Sequence, residues 1–488
     1  MQATSEIEGN VIPVVETLPA DLLTPLAVYL KLSEQTENSF LLESVEGGES
    51  LARYSFVGAG PMAIVSGNDE ETVITRDGVD AETVPLSIFD YLRRHFAACD
   101  VAATSEFPSF VGGAIGFMNF SCAEWFEPSL RRNGLGSPDA DAAFMIFRSI
   151  VAFDHAKQTI RIVSLVFKDE ANENKTLQEL FDEAEKVNSR IRKILEGGEL
   201  NLPKGPPSQI SKPRSNYARA DFESHVVEIK ELINAGEAYQ VVLSQCFSKK
   251  TSSTDVGIYR AIRSLNPSPY MFLLRFGKKS IIGASPEMLV RTRGRDLEYR
   301  PIAGTRTRGK TRAEDDRLAE EMRADKKEVA EHMMLVDLGR NDLGRVAEYG
   351  SVKVDVLMSV EKYSHVQHLV SKLSAKLRDG LDCFDALAAC FPAGTVSGAP
   401  KVRAIEIIKK LEPTSRGVYA GAVGYFDYSG NMDTCIAIRT LVLEDGEVKI
   451  QAGAGIVADS VPSSEFEETV NKAAALMRAV EIAETGEF

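Results

Sequence analysis

Strand-like segments in this chain follow one another across turns too short to hold a helix, and that spacing forces antiparallel pairing. Ser39–Val45, Leu51–Val57, Met62–Val65 and Thr72–Thr75 run in succession before a turn at Asp77–Gly78. Phe144–Phe153 and Thr159–Leu165 flank Asp154–Lys157, and Cys435–Leu443 and Glu447–Gln451 flank Asp445–Gly446. Asp-Gly between alternating apolar residues is a hairpin signal. A parallel pair would need a crossover of about a dozen residues or more. Helices are expected at Ala20–Leu32, Leu86–Phe96, Thr176–Leu195, Asp221–Ala235 and Thr311–Leu338. One more follows Pro400, and the last runs from Ser464 to the C-terminus. Mixed runs without a regular strand–helix repeat give an α+β chain with antiparallel sheets rather than a doubly wound one.

The Pro- and Gly-rich stretch 196–216 lacks an apolar period and reads as a linker. It separates an N-terminal region, 1–200, from a C-terminal region, 217–488, across 201–216. Further strands are expected at Ala238–Phe247, Tyr270–Phe276 and Lys279–Ala284. GGAIGFMNF (112–120) is echoed by AGAVGYFDY (420–428), as an internal duplication or as chance recurrence of a strand–glycine pattern.

A net charge of −15 argues against a nucleic-acid partner, which needs a basic footprint. No apolar run approaches the roughly 18 residues that cross a bilayer, so no membrane partner is expected. The first 30 residues hold Glu6, Glu8, Glu16 and Asp21 but no Lys or Arg, which fits neither a secretory nor a transit peptide. Six scattered cysteines without a C-x-x-C pair read as reduced thiols of a cytoplasmic protein.

Carboxylates suggest the first chemistry. Glu328 and Glu331 lie one turn apart on an expected helix, off the apolar stripe of Met322, Val329, Met333 and Val336. Glu465 and Glu468 repeat the device in the terminal helix, where Ser464 and Glu467 form a capping box and Lys472 follows. Solvated acidic faces account for both pairs. So does an oxygen-only cation site shared between two helices, which would suit Mg²⁺.

Anion receptors come next. In FPAGTVSGAPK (391–401), Thr395, Ser397 and two glycines precede a helix expected to hold Pro400 in its first turn. The spacing is not that of a P-loop. Gln451-Ala-Gly-Ala-Gly-Ile is expected as a loop, either a backbone nest or a tight turn. Arg439, placed on a strand face with Ala437 and Leu441, needs an anionic partner, either a ligand carboxylate or a protein acid. His368 between apolar neighbours and Glu287 after a proline are further proton handlers. No glutaminase arrangement of Cys, His and Glu, no GxSxG elbow and no zinc spacing appears.

Taken in order, GASPEMLV (283–290), RPIAGTRTRG (300–309), DKKEVAEHMMLVDLGRND (325–342), KYSHVQHLVS (362–371), FPAGTVSGAPKVRA (391–404), YAGAVGYF (419–426) and IQAGAGIVADSVPSSEFEET (450–469) resemble the chorismate-utilising enzymes. Within that family the likeness is to the component I branch of anthranilate synthase. It is dense over 217–482 and thinner before. It implies large antiparallel sheets packed together with helices outside. It also implies Mg²⁺ on Glu331 and Glu468 with Glu328 and Glu465 beside them. Chorismate would lie against Gly304, Thr305, Tyr419, Arg439 and Gly453–Ala454–Gly455, with Thr395 and Lys472 near it.

Two positions separate the branches of the family. Relatives that add water carry a Lys base where this chain has Gln240 in GEAYQVVLS, and an amide cannot activate water as an amine does. Aminodeoxychorismate synthases carry a Lys nucleophile where Ala303 stands. Isochorismate, salicylate and aminodeoxychorismate chemistry therefore rank below anthranilate formation from chorismate and ammonia, with Glu287 as general acid and His368 in the elimination. A non-catalytic, tryptophan-binding protein on the same fold would lack the carboxylates or Arg439, and all are present. The resemblance further implies a partner glutamine amidotransferase subunit that supplies ammonia, hence a hetero-oligomer. It implies feedback inhibition by L-tryptophan through Leu41-Leu-Glu-Ser44 and Asn266-Pro-Ser-Pro-Tyr-Met271, with Ser44, Pro269, Tyr270 and Met271 as contacts and Val423, Tyr425 and Cys435 as further walls.

Overall fold

The computed structural model describes residues 9–44, 53–102, 107–131, 140–197, 200–203, 211–363 and 366–486. Outside them lie 198–199 and 204–210 of the expected linker, Val45, Leu51 and Ala52 of two expected strands, Glu6 and Glu8, Ser364 and His365, and 487–488 at the end of the last expected helix. Residues 1–200 supply strands β1 (Val11–Pro19), β2 (Asn38–Glu43), β3 (Tyr54–Ala59), β4 (Ala63–Gly67), β5 (Thr72–Arg76), β6 (Val79–Val84), β7 (Gly113–Met118), β8 (Ala142–Phe147), β9 (Ser149–Asp154) and β10 (Thr159–Phe167). The remainder supplies β11 (Arg214–Ser215), β12 (Gln240–Lys250), β13 (Tyr270–Phe276), β14 (Lys279–Ser285), β15 (Met288–Arg293), β16 (Asp296–Tyr299), β17 (Ile302–Thr307), β18 (Lys353–Lys362), β19 (Val366–Lys376), β20 (Gly398–Ala399), β21 (Ala422–Asp427), β22 (Met432–Ile436), β23 (Thr440–Glu444) and β24 (Glu447–Ile456).

These form two 12-stranded sheets, antiparallel throughout. The first runs β1-β10-β9-β3-β2-β13-β14-β23-β24-β12-β11, with β20 on β12. The second runs β17-β19-β16-β15-β22-β21-β7-β8-β4-β5-β6, with β18 on β19. Strands from both sides of the linker thus share each sheet. Phe40 and Phe272 enter the core cluster between the sheets, while Leu41 and Leu273 point into a second cluster under helices Pro25–Ser33, Leu177–Glu196, Asp255–Leu265 and Pro462–Thr485. Burial on both faces explains the unbroken apolar run Phe-Leu-Leu in β2 and β13.

The echoed strands lie side by side. β7 pairs with β21 so that Gly116 faces Gly424, the equivalent residue of the repeat. Leu41 likewise faces Leu273 where β2 meets β13. Each sheet is two similar halves meeting at a central seam, the arrangement an internal duplication produces. The glycines are needed there: a Cβ on Gly116 would stand 1.9 Å from the Ala143 carbonyl oxygen, and one on Gly424 2.2 Å from that of Asp433.

Several expected elements divide. Phe144–Phe153 is two strands, because the chain changes sheet at Arg148, and only β9 pairs with β10. Cys435–Leu443 likewise divides into β22 and β23, in different sheets. Its far end does form the hairpin at Asp445–Gly446, with φ of 46° and 75°. The helix expected over Thr311–Leu338 breaks at Asp325, which ends Arg312–Ala324 and caps Lys326–Gly344 by accepting from the Lys327 and Glu328 amides. The terminal helix starts at Pro462 with no side-chain cap, so the Ser464–Glu467 box is absent and Glu467 pairs with Arg219 at 2.8 Å. Pro400 is the N-cap of Lys401–Leu411, not part of its first turn.

Replacing Gly116 by Ala should cost about 1–3 kcal/mol through overpacking. Gly344→Ala, at a helical site with nothing within 4 Å, should stabilise by about 0.5–1 kcal/mol. Calorimetric midpoints of the two variants should move in opposite directions.

Candidate functional site

Glu287 occupies the turn between β14 and β15, where only 3% of the residue is exposed. Its carboxyl accepts from the Thr395 hydroxyl at 2.8 Å and from the Ile302 amide. Burial still dominates and pushes its pKa up to about 8, so at neutral pH the group carries a proton it can give away. Thr395 is held in the single turn Gly394–Ser397.

His368 lies on β19, and its Nδ1 stands 2.8 Å from the Gly304 carbonyl and 3.2 Å from the Thr305 hydroxyl. A carbonyl can only accept, so Nδ1 carries the hydrogen and Nε2 keeps its lone pair. Burial lowers the pKa of the ring, favouring this neutral form. Gly304, at φ 64°, backs onto the carboxylate helix: a Cβ there would stand 3.1 Å from Glu328 Oε2.

Glu328 is held by Arg306 at 2.8 Å, and Glu468 by Lys472 at 2.7 Å. Glu331 has neither ion-pair nor hydrogen-bond partner among the described residues. Burial, then Glu328 and Glu468, raise its pKa against Lys327 and Lys472. Burial also raises Glu465, with Glu468 adding to it. Glu331 on one helix thus lies close enough to Glu468 on the other for their charges to repel. Among the described residues, no three His, Cys, Asp or Glu side chains close on one point. The donor set is a loose crowd of like charge with one unpaired member. That fits Mg²⁺, which keeps its own waters and takes oxygens from a substrate.

Arg439 is not on a strand. It sits at φ 50° where the chain passes from β22 to β23, that is, from one sheet to the other. Among the described residues no carboxylate pairs with its guanidinium, and burial lowers its pKa while Tyr419 opposes. Arg439, Glu468 and Lys472 line one open cleft of about 670 Å³ with Arg219, Ser464 and Glu467. Lys472 also donates to the Gly453 carbonyl at 3.0 Å.

The expected glycine loop is the end of β24, paired to β12 from Ser244↔Gly453 to Val242↔Gly455, so it forms no backbone nest. Its glycines serve another purpose. A Cβ on Gly453 would stand 2.7 Å from the Tyr419 hydroxyl, and one on Gly455 2.5 Å from Gln240 Nε2. The bare strand, with Ala454 between, admits those two side chains. Tyr419 is pushed up to about 12 by burial and remains a neutral donor.

A second cavity of about 280 Å³ opens on the seam. Ser44, Pro269, Tyr270 and Met271 line it, as do Val423, Tyr425 and Cys435. The Ser44 hydroxyl is buried and has no partner among the described residues. Opposite it, Arg291 and Tyr270 both donate to Asp433, at 2.8 and 3.1 Å. Neither Asp433 nor Arg291 was signalled by the sequence, since the pair joins strands 142 residues apart. Arg306 could have been found as the cation following Thr305 beside an acidic helix.

The chorismate binding enzyme family matches residues 37–478. Anthranilate synthase component 1 of Aquifex aeolicus is 45% identical over 97% of this chain and 96% of its own length, and that of Pseudomonas putida 43% over 97% and 96%. The crystal structure of anthranilate synthase component I from Streptococcus pneumoniae superposes with a TM-score of 0.76 at 35% identity, covering 95% of this chain and 99% of that one. Among the described residues no helix is long and apolar enough to cross a membrane. With its antiparallel sheets, its buried acid and its unpaired guanidinium, the chain belongs to the chorismate binding enzymes, in the family of anthranilate synthase component 1.

Proposed function

We propose that this chain is the large subunit of an anthranilate synthase, a lyase that converts chorismate and ammonia to anthranilate, pyruvate and water at the first committed step of tryptophan formation. The protonated, buried Glu287 carries the reading: a carboxylic acid near the substrate can release a ring hydroxyl as water. Arg439 and Tyr419 hold a chorismate carboxylate by charge and hydrogen bonding, and Gly453 and Gly455 let Tyr419 and Gln240 lie close against the strand beside it. Glu331 and Glu468, with Glu328 and Glu465 beside them, would hold Mg²⁺, which when bound would neutralise the ring carboxylate. Glu287 gives its proton to the departing 4-hydroxyl as ammonia adds next to the carboxylate-bearing carbon. His368 then accepts the ring proton at Nε2 while the enolpyruvyl group leaves and is protonated to pyruvate. Gln240, an amide, offers no base for adding water.

Ammonia is supplied by a glutamine amidotransferase partner, so the working enzyme is a hetero-oligomer. Burial raises the thiol pKa of Cys99, Cys122, Cys246, Cys383, Cys390 and Cys435, which leaves no activated nucleophile for glutamine hydrolysis in this chain and suits a reducing cytoplasm. Tryptophan occupies the seam cavity, where the unpartnered Ser44 hydroxyl takes one end of the amino acid and Met271 packs the indole.

The chain with chorismate, Mg²⁺ and ammonium should develop anthranilate fluorescence, and pyruvate release without it would indicate salicylate-type chemistry instead. At a fixed concentration of free ammonia the rate should fall as the pH rises through about 8, because the proton that Glu287 donates is present only below its raised pKa. Glu287→Gln should lose at least about 100-fold in kcat. Glu468→Gln should raise the Mg²⁺ concentration for half-maximal binding, read calorimetrically and in turnover. Glu467→Gln, which loses only an exposed pair with Arg219, should leave both stability and Mg²⁺ binding near wild type. Equal Mg²⁺ dependence in the two variants would reduce the terminal acids to surface charge. Ser44→Phe should abolish tryptophan inhibition with uninhibited turnover near normal, and full inhibition of that variant would remove Ser44 from the site.

A further inference from the structure

Arg416 lies outside every motif considered so far, between the helix Lys401–Leu411 and Tyr419, and its side chain is 1% exposed. Its Nε and Nη2 donate to the two oxygens of Glu412, at 2.9 and 2.6 Å. Nη1 donates to the Val396 carbonyl at 2.8 Å, and Nη2 also to the Val242 carbonyl at 2.7 Å. The guanidinium lies over Tyr419, 5.5 Å from the ring centroid, and over Phe120 at 4.5 Å. Glu412 in turn accepts from the Ser244 amide and hydroxyl at 2.8 and 2.7 Å, and Gln451 donates to that hydroxyl at 2.8 Å.

Apart from the Phe120 ring, these contacts end at, or one or two residues from, a wall of the substrate site. Val396 follows Thr395, whose hydroxyl holds Glu287. Val242 lies two residues along β12 from Gln240. Gln451 lies two residues before Gly453, and Tyr419 is itself a wall. Charge pairing alone does not explain a fully buried cation, since buried ion pairs are replaceable by apolar residues at little cost in stability. What an apolar residue cannot do is orient a carboxylate, two carbonyls and two rings at once. A planar fork of five N–H groups can, and an ammonium cannot.

We propose that Arg416 is a positioning residue of the reaction: one guanidinium sets the Thr395–Glu287 pair, the Tyr419 ring and the Gln240 strand in register, without touching substrate. The inference rests on the anthranilate synthase reading for its kinetic arm but not for its structural one.

In Arg416→Lys, which keeps a cation beside Glu412, chorismate KM with ammonium should rise about tenfold and kcat/KM should fall about 100-fold, as for a misplacement near 1 Å. Thr395 donates to Glu287 and so favours its ionised form; loosening it should move the Glu287 titration above its wild-type value. That titration is read without substrate, as the infrared carboxyl band missing from Glu287→Gln. Tyr299, the titratable group whose charge the Glu287 carboxylate reaches, is held neutral by burial and does not confuse the reading. Thr395→Val should shift the band alike, and adding Arg416→Lys should shift it no further. An unmoved band in Arg416→Lys, or an added shift in the Thr395→Val background, would overturn the proposal. If Arg416→Lys does not fold, Ser244→Ala, which loosens Glu412, should raise KM and the titration in the same direction, and no change in either would overturn it equally. A normal titration shift without anthranilate from the wild-type chain would fault the function and leave the positioning intact.

Discussion

Backbone hydrogen bonds across two seams, β2 to β13 and β7 to β21, are what the remaining architecture depends on. Without them each half of the chain would end in two exposed strand edges, a ready template for association with other chains. With them, the halves become two continuous sheets whose facing sides bury one apolar cluster. The seam cavity exists only because both halves contribute to it, with Ser44 from one and Tyr270, Met271 and Cys435 from the other. Its far wall belongs to β15 and β22, the strands that also carry the chain to Glu287 and toward Arg439. The cavity and the acid thus share the backbone of β15.

Carboxylates are used in two opposite ways within a short distance. Glu287 is isolated in apolar surroundings with a single hydroxyl and an amide, so it stays protonated. Four other glutamates are crowded at two helices, where Arg306 and Lys472 offset two of them and Glu331 has no pair. The first arrangement stores a proton, and the second stores negative charge. Arg439 faces the same cleft as Glu468 without pairing to it, because the left-handed backbone at the sheet crossing fixes where its side chain starts.

Hairpins and helices with local signals were legible from sequence: Asp445–Gly446 supplies positive φ, and Thr176 with Glu179 closes a capping box on its helix. Elements that depend on partners far along the chain were not. The runs Phe144–Phe153 and Cys435–Leu443 are continuous in polarity, and only the packing of two sheets explains why each is cut at an arginine. Gly453 and Gly455 read as a turn because glycine signals φ freedom and close approach with the same letter; here the approach of Tyr419 and Gln240 decides. Asp325 interrupts a helical period through its capping bonds, which periodicity does not weigh. The candidate site residues were named by long motif strings rather than by spacing, so Arg416, whose contacts lie on four separate segments, carried no signal.

The seams also set a clock on biogenesis. Gly116 leaves the ribosome about 300 residues ahead of Gly424, so at roughly 5–20 residues per second β7 waits on the order of 15–60 s for its partner. Throughout that interval the first half holds an apolar sheet face and two unpaired edges, for longer than most domains need to fold. Synthesis time, rather than the microseconds of hairpin closure, thus sets how long those edges await their partners.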